Sequence, residues 1–185
     1  FFCDTPVEVM GELRFDQEIP IKHLHRADLF LKKTNIKIES RFCFCFGSTG
    51  PGENTILIHL MRRLTAKAES LGLPKPFYIY VPRHTKDFTS IEKELDNSGF
   101  GFFKRSEILD SNLKLKDGVN LDFSNLDGLL GDSLGEINFY FEIADYVFIG
   151  NSFNDLGSHN VIEPLALKKP VVVGPSVWGI EYPIV

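Results

Sequence analysis

From Arg41 to Val173 the chain alternates short apolar runs with longer stretches whose apolar residues recur every three or four positions. Few folds accept that order. A strand, a helix and a second strand in succession build a parallel pair with a right-handed crossover, and repetition gives a doubly wound α/β sheet. The expected strands are Arg41–Phe46, Phe77–Val81, Phe100–Lys104, Leu126–Leu130, Tyr146–Ile149 and Val171–Val173. A helix is expected where Leu57, Leu60, Met61, Leu64, Ala68 and Leu71 form one stripe, ended by Gly72 and Pro74. Three more are expected over Phe88–Ser98, with Asp87 as N-cap and Gly99 as stop, from Gly135 to about Ala144, and over Val161–Leu167. Residues 105–125 read as an irregular surface excursion. Residues 1–40 are mixed: Val7–Phe15 could hold a strand, and Ile21–Lys37 reads as a basic connector with two histidines. The organisation expected is an interdomain segment over 1–40 and a ligand-binding domain over 41–185.

Composition narrows the class. With 43% hydrophobic and 24% charged residues the chain is ordinary globular protein, neither linker nor fibre. A net charge of -5 argues against a broad nucleic-acid surface while allowing a local basic pocket. No apolar stretch approaches the roughly 18 residues of a membrane span. Phe1-Phe2 at the start and Pro183-Ile184-Val185 at the finish suggest a piece of a longer protein. Three cysteines, an odd number, point to a reducing compartment. Cys43 and Cys45 would share one strand face about 7 Å apart, which suits packing, and no further soft ligands stand at zinc-site spacing.

Doubly wound sheets bind ligands beyond the carboxyl ends of their strands. Four loops there carry unusual residues. Gly47-Ser48-Thr49-Gly50-Pro51-Gly52-Glu53-Asn54 has the glycine spacing of a P-loop but lacks its lysine and hydroxyl, which excludes a P-loop nucleotidase. The third glycine of a dinucleotide fingerprint is also absent. The loop is either a plain turn or a backbone that approaches a ligand closely. Pro82-Arg83-His84 puts an arginine at a strand end, suited to a phosphate or carboxylate, although most arginines are simply surface residues. Gly131-Asp132-Ser133-Leu134-Gly135-Glu136 spaces Ser133 and Glu136 as a capping box, which accounts for both without a ligand. In Gly157-Ser158-His159-Asn160-Val161-Ile162-Glu163-Pro164, Asn160 and Glu163 could be a cap pair. Equally, the helix start could face a phosphate while Glu163 accepts the two hydroxyls of a ribose. Gly150-Asn151-Ser152 is not a hydrolase elbow, because the Gly-x-Ser-x-Gly pattern is missing.

Taken in order, these motifs resemble the C-terminal half of bacterial 3-deoxy-D-manno-octulosonic acid (Kdo) transferases. Gly11-Glu12-Leu13-Arg14-Phe15-Asp16 is similar to the Gly-Asn-Leu-Lys-Phe-Asp that opens that family's second domain. Ser48-Thr49 through Gly52-Glu53 resembles its Ser-Thr-His-x-Gly-Glu turn, with Gly50 in place of the histidine. Pro82-Arg83-His84 matches outright. Gly131–Glu136 resembles Gly-Asp-Thr-x-Gly-Glu, and His159-Asn160 through Glu163-Pro164 resembles His-Asn-x-x-Glu-Pro, with Gly157-Ser158 where the family pairs two glycines. Lys169-Pro170 and Gly174-Pro175 close the match, which spans about residues 11–175.

The resemblance implies a GT-B glycosyltransferase whose Rossmann-like C-terminal domain holds the donor CMP-Kdo, here truncated at its C-terminus. It implies inverting transfer of Kdo to the lipid A precursor in lipopolysaccharide biosynthesis, at the cytoplasmic face of the inner membrane. No metal, cofactor or nucleic acid is implied. The acceptor site, the membrane-proximal surface and a glutamate base would belong to an N-terminal domain outside this sequence, so the fragment alone is expected to be soluble and inactive. Within it, Ser48, Pro82 and Arg83, Leu134–Gly135–Glu136, and Asn160, Val161, Ile162 and Glu163 would contact CMP, with Arg83 on the phosphate. Arg14 would stand where the family's lysine offsets charge on the departing phosphate. Two other readings remain open at this level: another GT-B enzyme such as a UDP-sugar transferase or epimerase, and a non-catalytic flavodoxin-like binding module.

Overall fold

The computed structural model describes residues 18–37, 41–120 and 122–180. The strand expected over Val7–Phe15 lies outside them. Six strands form one wholly parallel sheet: β1 (Cys43–Thr49), β2 (Phe77–Pro82), β3 (Phe102–Lys104), β4 (Gly128–Leu130), β5 (Tyr146–Ile149) and β6 (Val171–Val173), in the order β3-β4-β2-β1-β5-β6. The central strands are almost continuously apolar because helices cover both faces, as parallel sheets require. Cys43 and Cys45 pack on one side with Phe77, Ile79 and Val147; Phe46, Tyr78, Tyr80 and Phe148 pack on the other. Burial pushes the Cys43 thiol up to about 12 and the Cys45 thiol up as well, so both are inert packing groups.

The second face is covered by α2 (Asn54–Ser70) and α3 (Phe88–Ser98), through Leu57, Ile58, Met61, Ile91 and Leu95. α3 has its expected bounds, but a 3-10 turn over Thr85–Asp87 leads into it and Asp87 makes no side-chain cap. The first face is covered by α1 (Ile21–Thr34) and α5 (Ile137–Ile143). Ile21–Thr34 is thus a helix packed into this domain and not the interdomain connector expected of it. Ala27 and Phe30 lock it to α5, where the Phe30 and Phe139 rings meet edge to face at 5.7 Å.

Two further differences bear on the site. β1 runs three residues beyond Phe46, and its pairing with β2 slips between Gly47 and Thr49. Ser48 is bulged out there with φ 55°, an unusual conformation for a residue with a side chain. The 105–125 segment is no mere surface excursion. It opens with a one-turn helix α4 (Arg105–Ile108), and Ile108, Leu109, Leu113 and Phe123 are buried in the core. The last helix, α6 (Ile162–Ala166), is a single turn and a half. Among the described residues no helix is long and apolar enough to cross a membrane.

Candidate nucleotide site

The loops after β1, β2 and β4 converge with α6 on a cleft of about 170 Å³ at the carboxyl ends of the strands, lined by Ser48, Val81, Pro82, Arg83, Ser133, Leu134, Gly135, Glu136, Ile137 and Glu163. Seven of the ten residues expected at a nucleotide, namely Ser48, Pro82, Arg83, Leu134, Gly135, Glu136 and Glu163, are therefore brought together from four separate loops. Asn160, Val161 and Ile162 do not line it. Val161 and Ile162 are buried, leaving only their main chain for a ligand, and the Asn160 side chain accepts the Ile162 N–H at 3.0 Å. Arg14 lies outside the described residues.

A buried carboxylate outside the cleft lining ties two of the loops together. Glu53 is 0% exposed and accepts four main-chain N–H groups: Gly50 and Asn151 on Oε2, both at 2.7 Å, and Ser152 and Phe153 on Oε1, at 2.9 and 3.2 Å. It fastens the loop after β1 to the loop after β5. These backbones lie so close that a Cβ on Gly150 would stand 2.5 Å from both Ser48 O and Thr49 Cα. A Cβ on Gly50 would stand 2.8 Å from the Asn151 side chain, which occupies the space a larger residue would need. Ser152 extends the network: its hydroxyl donates to Ile149 O and accepts the Gly174 N–H, both at 2.8 Å.

Arg83 is exposed at the rim, and its own N–H donates to Thr49 O at 3.1 Å, which fixes the backbone from which the side chain projects. His159 lies near it. Burial, with Arg83 adding to the effect, holds the His159 imidazole below its usual range, which disfavours the charged form. Arg83 is then the charged donor of this corner.

Glu136 departs from the capping-box expectation. Its carboxylate takes a two-pronged ion pair from Arg105, Nε to Oε2 at 2.7 Å and an Nη to Oε1 at 2.5 Å, while Ser133 Oγ donates to Oε2 at 2.5 Å. Tyr140 OH and Ser133 Oγ lie 2.9 Å apart. No side-chain bond caps α5, which starts after Glu136 at Ile137. With its carboxylate engaged, the Ser133–Glu136 turn offers a ligand its main chain and the exposed Leu134 side chain. Arg105, 31 residues away in sequence, was not evident as part of this turn.

Glu163 is not a cap partner either. It stands in the first turn of α6, and its Oε1 accepts from Asn138 Nδ2 at 3.3 Å, so the carboxylate is turned toward the cleft. A helix of five residues has too little dipole to organise an anion, which leaves the carboxylate as the recognisable group. Chemically, the cleft sets one guanidinium at one wall and a carboxylate at another. That pairing suits a ligand with one anionic and one polyhydroxyl portion. Among the described residues no group of three or more His, Cys, Asp or Glu side chains could hold a metal.

No protein-family model matches the chain. A 3-deoxy-D-manno-octulosonic acid transferase of Bordetella pertussis is 31% identical over 173 residues, covering 94% of this chain and 36% of that protein. Its namesake from Haemophilus influenzae is 32% identical over the same share of each. One from Aquifex aeolicus is 28% identical over 146 residues, 78% of this chain and 35% of that protein. The chain thus spans about a third of the length of these relatives. Among solved structures, the C-terminal CMP-Kdo binding domain of WaaA from Acinetobacter baumannii shares the fold, with TM-score 0.71 and 24% identity over 89% of this chain and 77% of that one. The resemblance first read from six ordered motifs therefore extends over nearly the whole chain.

Proposed function

We infer that this chain is the donor-binding C-terminal part of a Kdo transferase, and that its cleft holds the CMP portion of CMP-Kdo. The observation that carries this reading is the convergence of seven motif residues from four loops on one cleft. Arg83 takes the phosphate, Glu163 the ribose hydroxyls, and the main chain of Leu134–Glu136 the remaining polar edges. Ser48, held out of line by its bulge, completes the wall beneath. Arg14, from the segment that precedes the domain, meets charge developing on the departing phosphate in an inverting transfer that uses no resident metal or cofactor. The lipid A precursor, the membrane contact at the cytoplasmic face of the inner membrane and the catalytic base belong to an N-terminal domain.

Calorimetric titration with CMP, UMP and UDP tests the reading. CMP should bind in preference to both uridine nucleotides, and the chain alone should release no CMP from CMP-Kdo in the presence of acceptor. A preference for UDP would overturn the donor assignment, and transfer by residues 1–185 would overturn the division of labour.

Glu163→Gln tests this role. No helix cap depends on Glu163, and a glutamine oxygen can still accept from Asn138, so stability should change by less than about 1 kcal/mol. It offers a diol a neutral acceptor in place of a charged one. Hydrogen bonds to charged groups contribute about 1.5–3 kcal/mol, and roughly 1.4 kcal/mol is tenfold in affinity. The preference for CMP over 2′-deoxy-CMP should accordingly shrink by about tenfold or more. An unchanged preference would remove Glu163 from the site.

A further inference from the structure

We propose that Asn138 is a positioning residue for Glu163, and so a determinant of ribose over deoxyribose recognition in this chain. The proposal rests on the reading of the cleft as a CMP site and names a component of it that none of the motifs contains.

Asn138 is out of character with its surroundings. It lies in the first turn of α5 among Phe139, Tyr140, Phe141 and Ile143, all buried, and is itself only 6% exposed. Its amide nitrogen donates to Glu163 Oε1 at 3.3 Å, and its amide oxygen is buried with no hydrogen-bond partner. A buried amide with half its capacity unmet costs stability, and an apolar residue of similar volume would fill the space without that cost. The fold therefore gives no reason for an amide here; the contact to Glu163 does. A carboxylate accepts only, so the NH₂ end of Asn138 must face it, which fixes the orientation of the side chain. With Oε1 tethered from behind, the carboxylate is held in one rotamer and Oε2 is left to the cleft. A neutral donor holds Glu163 without cancelling its charge, as a lysine or arginine would. Glu136, the other cleft carboxylate, shows the contrast: Arg105 and Ser133 engage both of its oxygens.

Two variants of the chain test this, with CMP and 2′-deoxy-CMP as calorimetric probes. Asn138→Leu removes the donor and the unpaired oxygen together. Its melting temperature should equal or exceed that of the wild type, while the CMP over 2′-deoxy-CMP preference falls by roughly threefold to tenfold. Asn138→Asp, nearly isosteric, sets a second carboxylate against Glu163. Two such groups resist being charged together, so the CMP over 2′-deoxy-CMP preference should fall as pH rises from 5 to 8 in this variant and stay flat in the wild type, the phosphate titration being common to both probes. A folded Asn138→Leu with the wild-type preference, or a flat pH profile in Asn138→Asp, would overturn the proposal and leave Asn138 a core residue. A wild type that binds neither probe would instead overturn the CMP reading of the cleft, and this proposal with it.

Discussion

Arg83→Ala should lower CMP affinity by about tenfold to a hundredfold and leave cytidine affinity nearly unchanged. The expected size follows from one charge-assisted contact to phosphate, about 1.5–3 kcal/mol, at roughly 1.4 kcal/mol per tenfold. The side chain is exposed, whereas the main chain that carries it is tied to Thr49, so truncation should remove the guanidinium without disturbing the strand end. His159 is no equivalent, because its burial, the larger cause of its lowered pKa, remains when Arg83 is removed. Arg83→Lys keeps the charge but loses the planar fork, and should fall between the two. Isothermal titration of each variant with CMP and with cytidine is the measurement. Equal losses for both ligands would mean that Arg83 shapes the cleft and does not meet phosphate.

The elements most legible in the sequence were those bounded by clear stop residues: Gly150 after β5, Pro170 and Gly174 around β6, and Gly99 after α3. Tyr146–Ile149, Val171–Val173 and Phe88–Ser98 have the bounds expected of them. α1 was hidden because its buried stripe is narrow, Ala27, Phe30 and Thr34, and its other faces carry Lys22, His25, Lys32 and Lys33. The usable marks were Pro20 ahead of it and Asn35 behind, which closes the helix with φ 51°. The excursion after β3 looked like surface because its buried Ile108, Leu109, Leu113 and Phe123 are separated by polar turns with no period to follow.

The site divides in the same way. Which loops carry it could be read from motif order, since parallel strands deliver their carboxyl ends to one edge. How the side chains are used could not. Ser133–Glu136 and Asn160–Glu163 both have capping spacing, yet neither carboxylate caps: Arg105 claims one and Asn138 the other. Those partners come from 31 and 25 residues away, and local spacing carries no trace of them. Glu53 stood in the sequence as the last residue of a glycine-rich turn, and three of its four N–H partners, Asn151, Ser152 and Phe153, appear only when the loop after β5 folds against it.

That arrangement makes Glu53 the residue on which the folded cleft depends most. Glu53→Ala should destabilise the chain by about 4 kcal/mol or more, because four N–H groups lose their acceptor and each buried donor left unmet costs about 1–3 kcal/mol before the loops relax. Glu53→Gln, conservative at most positions, should be nearly as damaging. Its amide keeps one oxygen for one pair of N–H groups and turns an NH₂ toward the other pair, so donors face donors where Oε1 or Oε2 stood. Asp is one methylene too short to reach both loops. Urea denaturation followed by circular dichroism gives the stability change, and CMP titration well below the transition gives the effect on the cleft. Both should suffer, because Glu53 joins the loop that presents Ser48 to the loop that leads into α6 and Glu163. Arg83→Ala should lose binding alone, which separates a ligand contact from the frame beneath it. A Glu53→Gln chain within about 1 kcal/mol of the wild type would show that the Ser152 contacts to Ile149 and Gly174 suffice to hold the two loops together.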